Sequence, residues 1–216
     1  MHTEIPAVYA DKHGTIQTTI INDSKTLTID LNGTIFSGNT FVFFQPEASL
    51  PLPDRFTLGE IGQLTDYTLS CRIPISTWKE ETQIPGFLLT EVEYKEDETR
   101  LDHNAPYFDF SFELEGKIIP IGKLSQFEGV FEILSEKLPE NIIIKTCYTC
   151  LYSDYSVYGS DVFGSMLCFR NVKDVYVKVR SKGEFMDMMD NFDRIVQETY
   201  LCEDFSPRMK GVGYRG

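Results

Sequence analysis

TIQTTIINDSKTLTIDLNGTIF, residues 15–36, decides the fold class. Thr15–Ile21 and Lys25–Leu31 are short runs rich in threonine and isoleucine, and Asn22-Asp23-Ser24 between them has the chemistry of a hairpin connection. In KTLTIDL, Leu27, Ile29 and Leu31 alternate with Thr28 and Asp30, the period of a half-buried strand. Asn32-Gly33 is the two-residue signal of a tight hairpin, leading into Thr34–Phe36. Ser37-Gly38-Asn39 then leads into the aromatic run Phe41–Phe44. The run reads as an antiparallel meander.

Beyond it, Pro46–Pro53 (PEASLPLP) reads as a surface loop or edge crossing, because proline has no ladder donor. Strand patterns resume at Tyr67–Ile75, Gly86–Tyr94, Tyr107–Leu114 and Lys117–Ile121, with Glu115-Gly116 turning the last pair. Lys95–Asn104 is polar and reads as an exposed loop. The period changes near residue 124. Phe127, Val130, Phe131, Leu134 and Leu138 form one helical stripe, with Ser125 as cap, Glu128 as capping-box partner and Pro139 after the stop. Asn141–Thr146 reads as a short strand, and Val175, Val177 and Val179 as another. Ser181 and Glu184 open a last helix whose stripe is Phe185, Met188, Met189, Phe192, Ile195 and Val196. The expectation is an α+β chain. Residues 1–122 form an antiparallel β-rich domain, sandwich- or barrel-like, and residues 123–216 a smaller α+β subdomain with a four-cysteine zinc site.

Composition bounds the function. The chain has 216 residues, 42% hydrophobic and 25% charged, which suits a globular protein and not a disordered one. No apolar run reaches the roughly 20 residues of a membrane helix. The N-terminus lacks a basic stretch followed by an apolar one, so a cytoplasmic protein is expected. Twenty basic against thirty-three acidic residues give a formal charge of −13. That balance opposes nucleic acid and acidic membrane surfaces, whose binding needs a basic footprint. Residues 1–146 hold 11 basic and 23 acidic residues, and residues 147–216 hold 9 and 10. The acidic part therefore suits a basic partner protein, although such a charge also serves solubility alone.

Cysteine usage carries the chemistry. Cys147-Tyr148-Thr149-Cys150 is a CxxC, Cys168 closes the run SMLCF, and Cys202 follows the last expected helix, while Cys71 stands apart. Zinc takes four tetrahedral thiolate or imidazole ligands, and a CxxC turn brings two to one ion. Four thiolates from Cys147, Cys150, Cys168 and Cys202 would make a closed structural site with no water position, hence no Lewis-acid catalysis. Buried free thiols, disulfides and a redox CxxC are the competing readings. The redox reading needs a helix N-terminus at the cysteines, where LYSDYSVYGSD is turn-like.

The blocks CYTCLYSDYSVYG (147–159), FGSMLCFR (163–170), QETYLCEDFSPR (197–208) and GYRG (213–216) resemble the C-terminal signature of an uncharacterised family of bacterial proteins. The resemblance covers about a third of the chain. It implies an intracellular bacterial protein and groups the same four cysteines, without an established activity.

Asp154, Tyr155, Tyr158, Asp161, Arg170, Tyr200, Asp204, Arg208, Tyr214 and Arg215 crowd these blocks. They read either as a Tyr/Arg recognition surface or as a network fixing irregular loops, with Arg170 and Arg208 paired to Asp154 or Asp204. No GxxxxGK[ST], HExxH or GxSxG occurs. His2, His13 and His103 lie far in sequence from the C-terminal cysteines, Glu80-Glu81 and Asp97-Glu98 look like solvated faces, and Trp78 reads as packing. The expectation is a non-enzymatic protein-binding protein, in one version an acidic, immunity-type antagonist of a basic toxin. The alternative is an enzyme using Tyr, Asp and Arg of the C-terminal loops.

Overall fold

In the computed structural model, which describes residues 2–47, 52–95 and 106–215, the chain divides into two compact units. One is Met1–Pro74 with Phe87–Gln126, the other Ile75–Gly86 with Phe127–Gly216. His103, Asp97-Glu98, most of the Lys95–Asn104 loop and the middle of Pro46–Pro53 lie outside the described residues.

The first unit is an antiparallel sheet. Strands β1 (Thr3–Asp11), β2 (Gly14–Asn22), β3 (Leu27–Leu31), β4 (Thr34–Thr40) and β5 (Phe43–Pro46) follow one another as hairpins. The short β6 (Thr57–Leu58) and β7 (Leu64–Thr65) pair together. A second meander consists of β8 (Tyr67–Lys79), β9 (Thr82–Tyr94), β10 (Phe108–Leu114) and β11 (Lys117–Leu124). β8 pairs with β1 through Ala7–Ala10, giving the order β11-β10-β9-β8-β1-β2-β3-β4-β5. Burial follows the period of two: Ile5, Ala7 and Tyr9, then Leu27, Ile29 and Leu31, then Phe108, Phe110, Phe112 and Leu114 are all buried on alternate positions. The β3–β4 turn is the one expected, with Asn32 at φ 57° and Gly33 at φ 90°. Asp11 fixes the β1–β2 corner through a two-pronged ion pair with Arg55, 2.7 and 2.9 Å.

Two local readings change here. β4 runs through Ser37-Gly38-Asn39 to Thr40, and the chain turns at Phe41-Val42, where both side chains are buried. β1 has no counterpart in the sequence reading. Pro6 lies in its middle, opposite Thr19 of β2 and just outside the ladder to β8, which starts at Ala7.

In the second unit the far end of the β8–β9 hairpin receives β12 (Ile142–Ile144) against Thr77–Lys79. Helix α1 (Glu128–Lys137) buries Phe127, Val130, Phe131 and Leu134, the expected stripe. Its N-cap is Phe127 without a side-chain cap bond, so Ser125 does not cap it. β13 (Ser153–Asp154), β14 (Met166–Cys168) and β15 (Arg194–Val196) form a three-stranded antiparallel sheet. Val175–Val179 is not a strand. It spans α2 (Lys173–Tyr176) and the turn after it, because Tyr176 and Val179, three apart, are buried while Val175 is 53% exposed. α3 (Lys182–Met188), capped by Ser181 through the Glu184 N–H, ends in a 3-10 turn at Met189–Asn191. The expected stripe stops there: Phe192 and Ile195 are exposed, and Ile195-Val196 belong to β15. The apolar cluster of this region is Leu167, Phe169, Tyr176, Val179, Phe185, Met188 and Met189, large side chains worth about 1.5–3 kcal/mol each on burial.

Candidate metal centre

The CxxC occupies a tight turn after β12. The Cys150 N–H donates to Cys147 O at 3.1 Å, and Thr149 Oγ1 ties the turn back to Ile144 O at 2.7 Å. This turn is sewn to the segment carrying Cys202. Cys147 N–H donates to Tyr200 O (2.6 Å), Tyr148 N–H to Glu198 O (3.1 Å) and Leu151 N–H to Ser206 O (2.7 Å). Cys202 sits in a similar turn, with the Phe205 N–H donating to its carbonyl at 3.2 Å. It follows β15 and not a helix end, as the shortened α3 requires. Cys168 ends β14, paired in register with Ser153 on one side and Arg194 on the other.

Three chain segments carry the four thiols. Burial pushes the Cys147 thiol far up, and Cys150, Cys168 and Cys202 push it further, so all three stand within electrostatic reach of it. Burial also raises the Cys168 thiol, with Cys202 and Cys150 adding, while the Arg170 backbone N–H and Arg194 pull it back. Cys147, Cys150 and Cys168 are buried and Cys202 is half-buried; all are free thiols. Cys71, in mid-β8 of the first unit, is a buried thiol raised by burial alone. Among the described residues no three His, Cys, Asp or Glu side chains already stand in ligating positions.

The donor set is of the type a soft ion such as zinc takes, and Arg194, Arg208 and Arg215 each have a buried nitrogen without a hydrogen bond. Arg194 Nε is buried without a hydrogen bond, beside Cys168 and Cys202. A buried guanidinium N–H without an oxygen acceptor is costly unless a charge offsets it.

The polar residues of the signature fall into two networks. In the first, Asp154 is buried and accepts from Tyr176 Oη at 2.9 Å and from the Tyr155 N–H at 2.9 Å, with Arg215 Nε at 3.6 Å. Arg215 donates to Tyr148 O at 2.7 Å and lies 4.1 Å above the Tyr148 ring. Arg208 donates to Cys150 O at 2.8 Å and to Ser153 O. Tyr155 Oη donates to Glu198 Oε1 at 3.1 Å, and the Gly164 N–H to Oε2 at 2.7 Å. Tyr214 stacks on Phe185 at 4.5 Å. In the second network Arg170 pairs with Asp193 (2.8 Å) and Asp204 (3.7 Å), and Lys173 with Asp204 (3.0 Å). Tyr200 takes the Arg194 guanidinium over its ring at 5.1 Å. Tyr158, 77% exposed, joins neither network, and Asp161 is exposed, its N–H bound to Ser165 Oγ.

Asp193, Arg194, Tyr176 and Glu198 escaped the sequence reading. Glu198 is fully buried, which lifts its carboxyl to about 7 against the pull of the Gly164 N–H and Tyr155 Oη. Nothing in QETY marks it; only the neighbours it meets in space do so.

No helix among the described residues is long and apolar enough to cross a membrane. No curated protein and no solved structure matches the chain. One family does, over residues 3–153, a stretch that takes in Cys147 and Cys150 and stops before Cys168, Cys202 and the rest of the C-terminal signature. On that match, which spans well over half of its length, the chain belongs to a family of unknown function (DUF6304).

Proposed function

We propose that the chain is a non-enzymatic, protein-binding protein of the bacterial cytoplasm whose second unit is stapled by one structural zinc ion on Cys147, Cys150, Cys168 and Cys202. What supports this reading is that the four thiols are carried by a CxxC turn, a strand end and a second turn, with backbone hydrogen bonds joining the two turns. On the same reading the blocks from CYTCLYSDYS to GYRG are a C-terminal signature of the family, because they hold the ligands and the Asp154–Arg208–Arg215 network around them. Non-catalytic use is supported by where those groups are spent: Asp154, Arg208 and Arg215 bind internal carbonyls, a tyrosine and each other. The partner is a basic protein, attracted by the 23 acidic residues against 11 basic ones in residues 1–146. An immunity-type antagonist of a basic toxin is the concrete form.

Metal analysis of the full chain purified without chelator tests the staple. About one zinc per chain is expected, and a metal-free chain with all five thiols reactive after unfolding would refute it. For the partner, the association rate should fall steeply between low and physiological salt. A rate indifferent to salt would refute the charge argument.

A further inference from the structure

We propose that Asp154, Tyr148 and Tyr155 form a binding site for a guanidinium group, filled here by Arg215 and open to exchange with an arginine of another peptide segment. This site depends on neither the metal nor the basic partner proposed above, and all its groups lie in the second unit. The anion is Asp154, 2% exposed, which accepts from the Tyr155 N–H and from Tyr176 Oη, both at 2.9 Å. The two bonds fall on different oxygens, so each oxygen keeps a lone pair for a further donor. The Tyr148 ring centre lies 4.1 Å from the guanidinium carbon of Arg215, and the Tyr155 ring centre 5.6 Å. The Tyr148 carbonyl accepts from Nη2 at 2.7 Å. An anion, two aromatic rings and a carbonyl acceptor are the groups that recognise a guanidinium. Contacts without Arg215 hold them in place. Glu198 takes the Tyr148 N–H on its carbonyl and Tyr155 Oη on its carboxylate, each at 3.1 Å, and Phe131 stacks on the Tyr148 ring at 4.8 Å.

Arg215 uses this site incompletely. Its Nε stands 3.6 Å from Asp154 Oδ1, and Nε and Nη1 are buried without a hydrogen bond. A guanidinium fork seated on a carboxylate makes two short bonds, as Arg55 does on Asp11 at 2.7 and 2.9 Å. The backbone that delivers Arg215 explains the shortfall. It is a run of turns, with the Val212 N–H on Met209 O at 3.2 Å and Gly211 and Gly213 at φ +74° and +77°. Tyr214, the chain neighbour of Arg215, is stacked on Phe185 at 4.5 Å, which sets how far the arginine reaches. An arginine carried on another backbone is free of that restraint and can complete the fork on Asp154. Arg208, the other guanidinium of this network, is committed through Nη2 to the carbonyls of Cys150 and Ser153.

The test uses the full chain carrying Arg215→Ala, with ethylguanidinium as the probe that replaces the missing stem and fork. The urea midpoint read by Trp78 should rise saturably with the probe in the variant and stay flat in the parent, whose site is filled. Ethylammonium, a cation without the fork, should leave both unchanged. Arg215→Lys should have the midpoint of Arg215→Ala, and a parent-like midpoint overturns the guanidinium assignment. Exchange is tested with the peptide acetyl-Gly-Arg-Gly-amide, followed by NMR. It should bind Arg215→Ala, and bind the parent roughly tenfold or more weakly, because the tethered Arg215 competes at an effective concentration in the millimolar range. Equal affinity for both chains puts the peptide elsewhere and overturns the proposal, as does a variant blind to ethylguanidinium. A parent that takes no peptide well above that range, beside a variant that does, refutes the exchange. If Arg215→Ala does not fold alone, the titration becomes a refolding assay: recovery with ethylguanidinium supports the site, and no recovery overturns it.

Discussion

Gly213→Ala should destabilise the second unit far more than Gly211→Ala, although the two glycines are two residues apart and share a backbone conformation. Their φ angles are +77° and +74°. An L side chain there costs about 1–2 kcal/mol, partly offset by about 0.4–1 kcal/mol from a stiffer unfolded chain. Gly211 looks into open space, so its alanine carries only this net cost of roughly 1 kcal/mol. A Cβ on Gly213 would stand 2.6 Å from Tyr176 Cε1 and 3.0 Å from Cζ and Oη. That ring cannot yield. It is fully buried, stacked on Phe169 at 4.9 Å, edge-on to Phe185, and its hydroxyl is bound to Asp154 at 2.9 Å. Overpacking of this kind adds about 1–3 kcal/mol, for a total of roughly 2–4 kcal/mol. Trp78, the only tryptophan, belongs to the second unit and reports its unfolding by fluorescence. With a urea slope of about 1–3 kcal/mol per molar, the two variants should have midpoints separated by roughly a molar. Coincident midpoints would refute the packing of the GVGYRG tail onto Tyr176.

Three further outcomes are expected. Burial lifts the Glu198 carboxyl from 4.5 to about 7, so the folded state holds its proton more tightly. The stability this contributes is complete below pH 4.5 and is lost as pH rises through 7, a change of about 3 kcal/mol that Glu198→Gln should abolish; parallel urea midpoints of parent and variant from pH 5 to 8 would count against it. Burial pushes Asp11 up, but Arg55 and the His13 N–H outweigh it and hold the carboxyl below its usual value of 3.8. That stability is present above pH 3.8 and lost as pH falls through the folded value. Arg55→Met should weaken this acid dependence, leaving the part due to the His13 N–H, and cost about 1–2 kcal/mol at neutral pH, the partly exposed Arg55 being screened by solvent. Cys168→Ser should loosen the second unit and lower bound zinc, whereas Cys71→Ser should change neither metal content nor Trp78 unfolding; equal modest effects at both positions would favour buried thiols.

Where the period of the sequence and the buried face coincide, the fold was legible. KTLTIDL alternates because β3 has one face in the core, and Asn32-Gly33 turns because both positions need a positive φ. The stripe of α1 was legible for the same reason, since 3.6-residue spacing buries Phe127, Val130, Phe131 and Leu134 together. Val175–Val179 misled because alternation of valine is a strand pattern locally, while Phe169 and Phe185 bury Tyr176 and Val179 from one side. Ile195 and Val196 extended a helical stripe in the sequence, yet the ladder to β14 captured them.

For the candidate site, residue chemistry alone put Cys147, Cys150, Cys168 and Cys202 in one group and set Cys71 aside, because a CxxC with single later thiols matches the ligand needs of zinc. The surroundings came only from tertiary structure. That Arg194 is in register with Cys168, that Asp193 joins the expected Asp204 on Arg170, and that Glu198 is buried and bound by Tyr155 are facts of register and close approach between residues 20 to 45 positions apart. Local spacing encodes which side of an element is apolar. It carries no record of which polar group from a distant segment will stand opposite, since that is settled when backbone pairing and core packing are satisfied together.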